Sequence, residues 1–203
     1  MLHRLNIEPA LTTLVPEKFF REEWSLAFAE LNFQFDPESQ VILSETYNDL
    51  VFLSVVDKKT YDAALSMFPQ GEYYSTCRLL FQTFEKSALS DKRNRHQIFV
   101  NIAPKAFDLF IFEKQQPIFV NTFAYQSSTD VLYYLLQVVN RLKIDTGGLT
   151  LKMTGSTAHS KDLTEMLEPH FLSIAKLSDK ENPLNLLVPI QAGFSLVNSA
   201  LCE

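Results

Sequence analysis

Apolar positions along the chain switch between a period of two and a period of three to four, and the switches mark its elements. Residues 2–7 and 10–15 read as short extended pieces broken at Pro9. Pro16 then opens an amphipathic helix, because Phe20, Trp24, Ala27, Phe28 and Leu31 fall on one stripe that suits a core. Residues 36–39 form a loop, and residues 41–44 and 50–56 are strands separated by Tyr47-Asn48-Asp49. Asp57 is placed to cap a helix reaching Phe68, with Tyr61, Ala64, Leu65 and Phe68 on its apolar side. Pro69-Gln70-Gly71 stops that helix. A strand over 72–75 follows, then a helix carrying Leu79, Leu80, Phe81 and Phe84. The polar run 87–95 reads as a boundary, dividing the chain into 1–90 and 91–203.

The second half carries the sharper pattern. Residues 97–102, 107–112 and 118–123 are three apolar strands in quick succession. Their connections force antiparallel hairpins, since a parallel pair needs a crossover of about a dozen residues. Phe99 with Val100, and Phe110 through Phe112, are apolar on both parities, which predicts a sheet covered on both faces. Ser127-Ser128-Thr129-Asp130 caps a helix whose Val131, Leu132, Leu135, Val138, Val139 and Leu142 keep helical spacing. Asp145-Thr146-Gly147-Gly148 turns the chain into a strand over 149–154. A helix over 160–167, a strand over 171–175 and a closing helix over 190–201 complete the order. The result is β-β-β-α-β-α-β-α, an α/β mixed sheet on the RNase H-like plan.

Composition narrows the chemistry. The 203 residues suffice for one large domain or two small ones. Seventeen Phe and seven Tyr make an aromatic core, while five Gly leave little material for loops that admit phosphate to the backbone. A net charge of −6 argues against a general nucleic-acid or anionic-membrane surface. The one basic cluster, Lys92-Arg93-Asn94-Arg95-His96, reads as a solvated loop. Two cysteines, Cys77 and Cys202, with no CxxC spacing, point to a reducing compartment, the cytoplasm. No apolar run reaches the roughly 20 residues that span a bilayer, and no signal peptide is evident at the start.

Several segments resemble a known superfamily. Residues 99–123, FVNIAPKAFDLFIFEKQQPIFVNTF, resemble the paired hairpins that open the second subdomain of actin-like ATPases. Residues 50–88 are similar to the α-β-α close of the first subdomain in the pilus-assembly branch. With Leu14-Val15-Pro16 and the terminal Leu201-Cys202-Glu203, the chain as a whole resembles a bacterial domain-of-unknown-function family with a degenerate actin-like fold. The resemblance implies a first half shortened at its N-terminus, entering at the fourth strand without the first phosphate loop. It also implies that the position of the metal-handling Asp-x-Gly is filled here by Asn101-Ile102-Ala103, with Pro104 next. Asparagine cannot act as a base or bring negative charge to Mg²⁺. Alanine adds a Cβ where phosphate would meet backbone, and proline removes an N–H.

Thr154-Gly155-Ser156 lies between a strand and a helix, where the superfamily places its adenosine loop; Thr154, Gly155, Ser156 and Asn101 are therefore the candidate cofactor-binding residues. A turn with an N-cap explains the same triplet without a ligand. Asp108, on a strand among apolar neighbours, points to an edge or a hydrogen-bonded loop rather than to a catalytic role. His159, Ser160 and Asp162 are triad letters confined to one loop, and Glu165 with Glu168 forms a wet helix face. No zinc spacing, P-loop or Rossmann glycine pattern occurs. The expectation is a non-catalytic binding or scaffold protein with a protein partner or a homodimer, and no catalytic or metal-ligating residue. The alternative is a nucleotide-binding protein with weak or no ATPase activity, holding ATP. A nuclease is the weakest reading, because that chemistry needs several carboxylates converging on metal.

Overall fold

The computed structural model describes residues 4–91, 93–155 and 161–177. The chain divides into two compact units, Met1–Leu80 and Phe81–Glu203.

The first unit begins with β1 (Arg4–Ile7) and β2 (Leu11–Pro16), followed by two single 3-10 turns, Glu17–Phe19 and Glu22–Trp24, and by α1 (Ser25–Asn32). Next come β3 (Gln40–Tyr47), β4 (Leu50–Asp57), α2 (Lys58–Met67) and β5 (Glu72–Ser75). The division between the units falls inside α3 (Thr76–Ser90). β4 pairs antiparallel with β2 on one side and β3 on the other, with Val51 opposite both Val15 and Thr46. As the middle strand it is buried on both faces, which explains the unbroken run of Val51, Phe52, Leu53, Val55 and Val56 in its core. β1 pairs in parallel with β5. Asp57 caps α2 as its position predicts: its carboxylate accepts the Thr60 hydroxyl at 2.7 Å and the Thr60 amide at 2.8 Å. Those bonds hold the Asp57 carboxyl below its ordinary value.

The first half departs from its pattern in three places. The helix expected from Pro16 starts only at Ser25, because Phe20 and Arg21 are extended and no side chain caps either 3-10 turn. Its stripe is consequently rotated. Ala29 and Phe33 enter the core with Leu53 and Val55, while Trp24 and Leu31 are 45% and 80% exposed. Residues 87–90 are not loop but the last turn of α3, held by buried Ala88 and by the Gln97 amide donating to the Ala88 and Asp91 carbonyls, each at 3.0 Å. Three antiparallel strands (β2, β4 and β3) precede α2 and β5, matching the extended segments read over 10–15, 41–44 and 50–56.

In the second unit, β6 (His96–Ile102), β7 (Ala106–Glu113) and β8 (Gln116–Ala124) form the expected antiparallel trio. Lys114 and Gln115, at φ of 49° and 67°, close β7 to β8 with the left-handed pair that matches strand twist. α4 (Ser128–Arg141) then crosses over, and β9 (Thr150–Thr154) joins β6 in parallel. α5 (Lys161–Leu167) leads to β10 (Ser173–Lys176), parallel to β9, giving the order β10-β9-β6-β7-β8. The helix expected over 190–201 lies outside the described residues.

α4 opens with a capping box in which Ser127 and Asp130 exchange side-chain and backbone hydrogen bonds. Its Val131, Leu135 and Val139 pack on Ile98, Val100, Leu109 and Ile111. The opposite face of the same strands is aromatic. Phe84 stacks on Phe99 at 4.8 Å and meets Phe110 edge-on at 4.9 Å, and Phe81 stacks on Phe112 at 5.6 Å. Leu135 is 0% exposed at the centre of the α4 contact. Leu135→Ala is expected to cost roughly 2–5 kcal/mol in urea unfolding, since it removes packed volume that the sheet cannot refill.

Candidate functional site

β6 and β9 run in parallel side by side, and the chain leaves them in opposite directions across the sheet, toward β7 from one and β10 from the other. The carboxyl ends of strands at such a seam are where open α/β sheets hold ligands. Asn101 stands there, opposite Thr154 of β9 on one side and Asp108 of β7 on the other, and Asp108 in turn faces Thr122 of β8. Residues opposite one another share a face, so four polar side chains cross four strands in one row. All four are buried: Asn101 and Asp108 are each 8% exposed, Thr122 5% and Thr154 2%.

The row is a hydrogen-bonded ladder at its centre. Asn101 Nδ2 donates to Asp108 Oδ2 at 2.9 Å, and the Thr122 hydroxyl donates to Asp108 Oδ1 at 2.7 Å. Asp108 is thus a hydrogen-bonded carboxylate inside an interior strand, and occupies neither the edge nor the loop expected of it. Asn101 acquires a structural role from this. An aspartate in its place would set two buried carboxylates within hydrogen-bond distance, where like charges cannot both ionise. Thr154 differs from the others: its hydroxyl oxygen is buried and has no hydrogen-bond partner among the described residues.

The candidate residues Asn101, Thr154 and Gly155 are therefore brought together, while Ser156 lies outside the described residues. Gly155 has φ of +104°, and a Cβ on it would sit 2.3 Å from the Ile102 carbonyl oxygen. Its lack of a side chain serves backbone contact with β6. The turn after β6 is likewise taken up internally. The Ala103 N–H donates to the Ala106 carbonyl at 3.0 Å, Pro104 has no N–H, and the Tyr125 hydroxyl donates to the Ala103 carbonyl at 2.6 Å. Thr122 was missed by sequence reasoning: counted from the short β7–β8 turn alone, Asn121 would stand opposite Asp108, and a register shift between Ile111 and Phe112 brings Thr122 there instead.

Other candidates are dispersed. Arg95 binds Glu113 through Nε at 2.8 Å and Nη2 at 2.7 Å, and its hydrogen bonds hold the Glu113 carboxyl below its ordinary value. Arg93 lies 3.6 Å from Asp91, and Lys92 is outside the described residues. Glu165 pairs with Lys161 at 3.5 Å on the exposed side of α5. Of the triad letters, His159 and Ser160 lie outside the described residues. Among the described residues no three His, Cys, Asp or Glu side chains gather to hold a metal, and no helix is long and apolar enough to cross a membrane.

A second buried charge sits in the first unit. Glu45 Oε2 accepts the Ser75 amide at 2.9 Å at the start of α3, and Oε1 lies 3.7 Å from Arg78 Nη1, an ion-pair distance too long for a hydrogen bond. The Arg78 guanidinium lies over the Tyr74 ring at 4.5 Å. Burial pushes the Glu45 carboxyl above its ordinary 4.5, outweighing the Ser75 amide and the Arg78 charge, which pull it down.

An antiparallel trio followed by parallel strands across helical crossovers makes this a protein of the actin-like ATPase fold. A crystal structure from Bacteroides thetaiotaomicron VPI-5482, a protein with actin-like ATPase fold and unknown function, matches with a TM-score of 0.81 and 22% identity. That match covers 98% of this chain and 74% of that one. The PilM-PilN type IV pilus biogenesis complex matches with a TM-score of 0.58 and 11% identity, over 98% of this chain and 79% of that one. The chain belongs to the protein family of unknown function DUF3822, whose model matches residues 4–174. No curated protein matches the sequence.

Two outcomes are expected from these clusters. Asn101→Asp should destabilise the protein by about 3 kcal/mol or more at neutral pH by burying a second charge beside Asp108. The penalty should shrink as pH falls and the pair shares a proton; urea unfolding at both pH values measures it. For Glu45, a raised carboxyl binds its proton more tightly in the folded state. Its contribution to stability is therefore fully present below the ordinary carboxyl value and lost as pH rises through the folded value. Unfolding free energies measured across that window should fall with pH, and Glu45→Gln should flatten the slope.

Proposed function

We propose that this protein is a non-catalytic binding or scaffold protein built on the actin-like fold. The observation that carries the reading is the Asn101–Asp108 hydrogen bond. Phosphoryl transfer depends on positioned charge and backbone donors. Here the residue at the strand end is a neutral amide committed to its neighbour, and the turn beyond it uses its Ala103 N–H to close a hairpin. In the first unit, the long connection from β2 to β3 contains no glycine with which to cradle a phosphate. PilM stands in a complex with PilN in one of the matching structures, which supports a protein partner for this chain as well. A second copy is the other candidate. Cys77 is buried, and two cysteines with no CxxC spacing suit the cytoplasm.

One observation favours a second reading, a nucleotide-binding protein with weak or no ATPase activity. The Thr154 hydroxyl is buried without a partner among the described residues at the β6–β9 seam, where a bound ATP would offer one. A thermal-shift panel of ATP, ADP and GTP, with and without Mg²⁺, separates the readings. A ligand at 100 times its dissociation constant stabilises by about 2.7 kcal/mol, or several degrees in Tm for a chain of this size. The binding-protein reading expects no shift and no phosphate release at millimolar nucleotide. A shift without turnover selects the second reading, and turnover abolished by Thr154→Val overturns both.

A further inference from the structure

We infer that β3 is a self-association edge, pairing antiparallel with β3 of a second copy of this chain. The inference rests on the binding-protein reading above and names its partner.

β3 lies at the outer end of the first unit's sheet and, among the described residues, is hydrogen-bonded as a strand on one side only, to β4. Its eight residues pair with β4 in unbroken register, without a bulge. Tyr47 and Leu50 flank the two-residue turn Asn48-Asp49 and exchange its closing hydrogen bonds. Pro16, with no N–H to give, stands opposite Leu50 on the other side of β4, in keeping with this phase. Alternation then turns the N–H and C=O groups of Ile42, Ser44 and Thr46 outward, away from β4. No backbone hydrogen bond to them from outside the β4 ladder occurs among the described residues.

Exposed edges are ordinarily blunted by proline, lysine, a bulge or brevity. At the far end of the second unit's sheet, β10 follows that rule: it is four residues long and ends on Lys176. β3 has none of these devices. Its sequence, QVILSETY, contains no proline and no basic residue, and its single charge, Glu45, is turned inward and countered by Arg78. Apolar surface accompanies the open edge. The Glu22 carboxylate accepts the Ser44 hydroxyl at 2.9 Å, which holds the Glu22–Trp24 turn at β3, and Trp24 and the neighbouring Leu26 are 45% and 46% exposed.

A second copy satisfies this edge without conflict. An antiparallel two-fold centred on Ser44 sets Ile42 opposite Thr46 of the copy and Ser44 opposite itself, so all three outward residues pair. Glu45 then faces Leu43 of the copy and never its own counterpart, so like charges do not meet across the strands. Interfaces between identical chains are self-complementary in this way.

Sedimentation velocity on the full chain over a concentration series tests the pairing, and it is independent of any nucleotide result. Wild-type protein is expected to dimerise. Ser44→Lys, which sets two ammonium groups against each other on the two-fold, should weaken the dimer about tenfold or more. Thr46→Pro removes an outward N–H while sparing the β4 ladder and should act in the same direction. Thermal melts of both variants establish that they fold, and Ser44→Lys alone decides if Thr46→Pro does not. A chain that stays monomeric at about 100 μM, a concentration that populates even weak specific dimers, overturns the inference. So does a dimer that folded Ser44→Lys leaves unchanged. A monomer that also leaves nucleotide unbound keeps the binding-protein reading and removes only the self-pairing.

Discussion

A strand buried on both faces must satisfy within the protein every polar atom it carries, and that constraint governs the second unit. β6 and β7 are covered by α4 on one side and by the aromatic side chains of α3 on the other. Asn101 and Asp108 are each largely buried, and each finds a hydrogen-bond partner on the neighbouring strand. The register supplies those partners, and the chemistry of the pair follows from it. A carboxylate in this position needs donors, and Asn101 and Thr122 each supply one. What reads in sequence as the loss of a catalytic aspartate is, in the structure, the donor that lets Asp108 remain buried.

The same economy of donors appears at the ends of α3. At its start, Ser75 Oγ accepts the Arg78 amide at 3.3 Å while Glu45 accepts the Ser75 amide. Negative charge at that end complements the helix dipole, although burial makes it costly. At its close, Gln97 takes two carbonyls, and Lys152 approaches Gln97 Oε1 at 3.3 Å and the Phe99 ring at 4.8 Å. Polar groups that could be mistaken for parts of a site are instead the means by which one long helix ends inside an aromatic core.

Around the β6–β9 seam, most of the described polar groups bond to one another. Gly155 gives way to the Ile102 backbone, the Ala103 turn is hydrogen-bonded to itself and to Tyr125, and the polar row bonds across its own strands. The first unit carries the contrasting feature of an edge strand without protection and an apolar turn beside it.

Local physics determined much of this protein directly from its sequence. The β6–β7–β8 hairpins follow from connections too short for a crossover, the Asp57 and Asp130 caps from side chains that reach their own backbone, and the α4 core face from the spacing of Val131, Leu135 and Val139. The stripe from Phe20 to Leu31 misled because helical spacing cannot reveal that Phe20 and Arg21 are extended, which rotates everything after them. Asn101, Thr154 and Gly155 were legible as candidates, but their proximity to Asp108 and Thr122 was not. That row joins residues from four strands, and only the pairing of β9, β6, β7 and β8 sets them opposite one another. Sequence fixes what each side chain can donate or accept, whereas tertiary structure decides which neighbour takes it, because register between strands distant in the chain is a property of the assembled sheet.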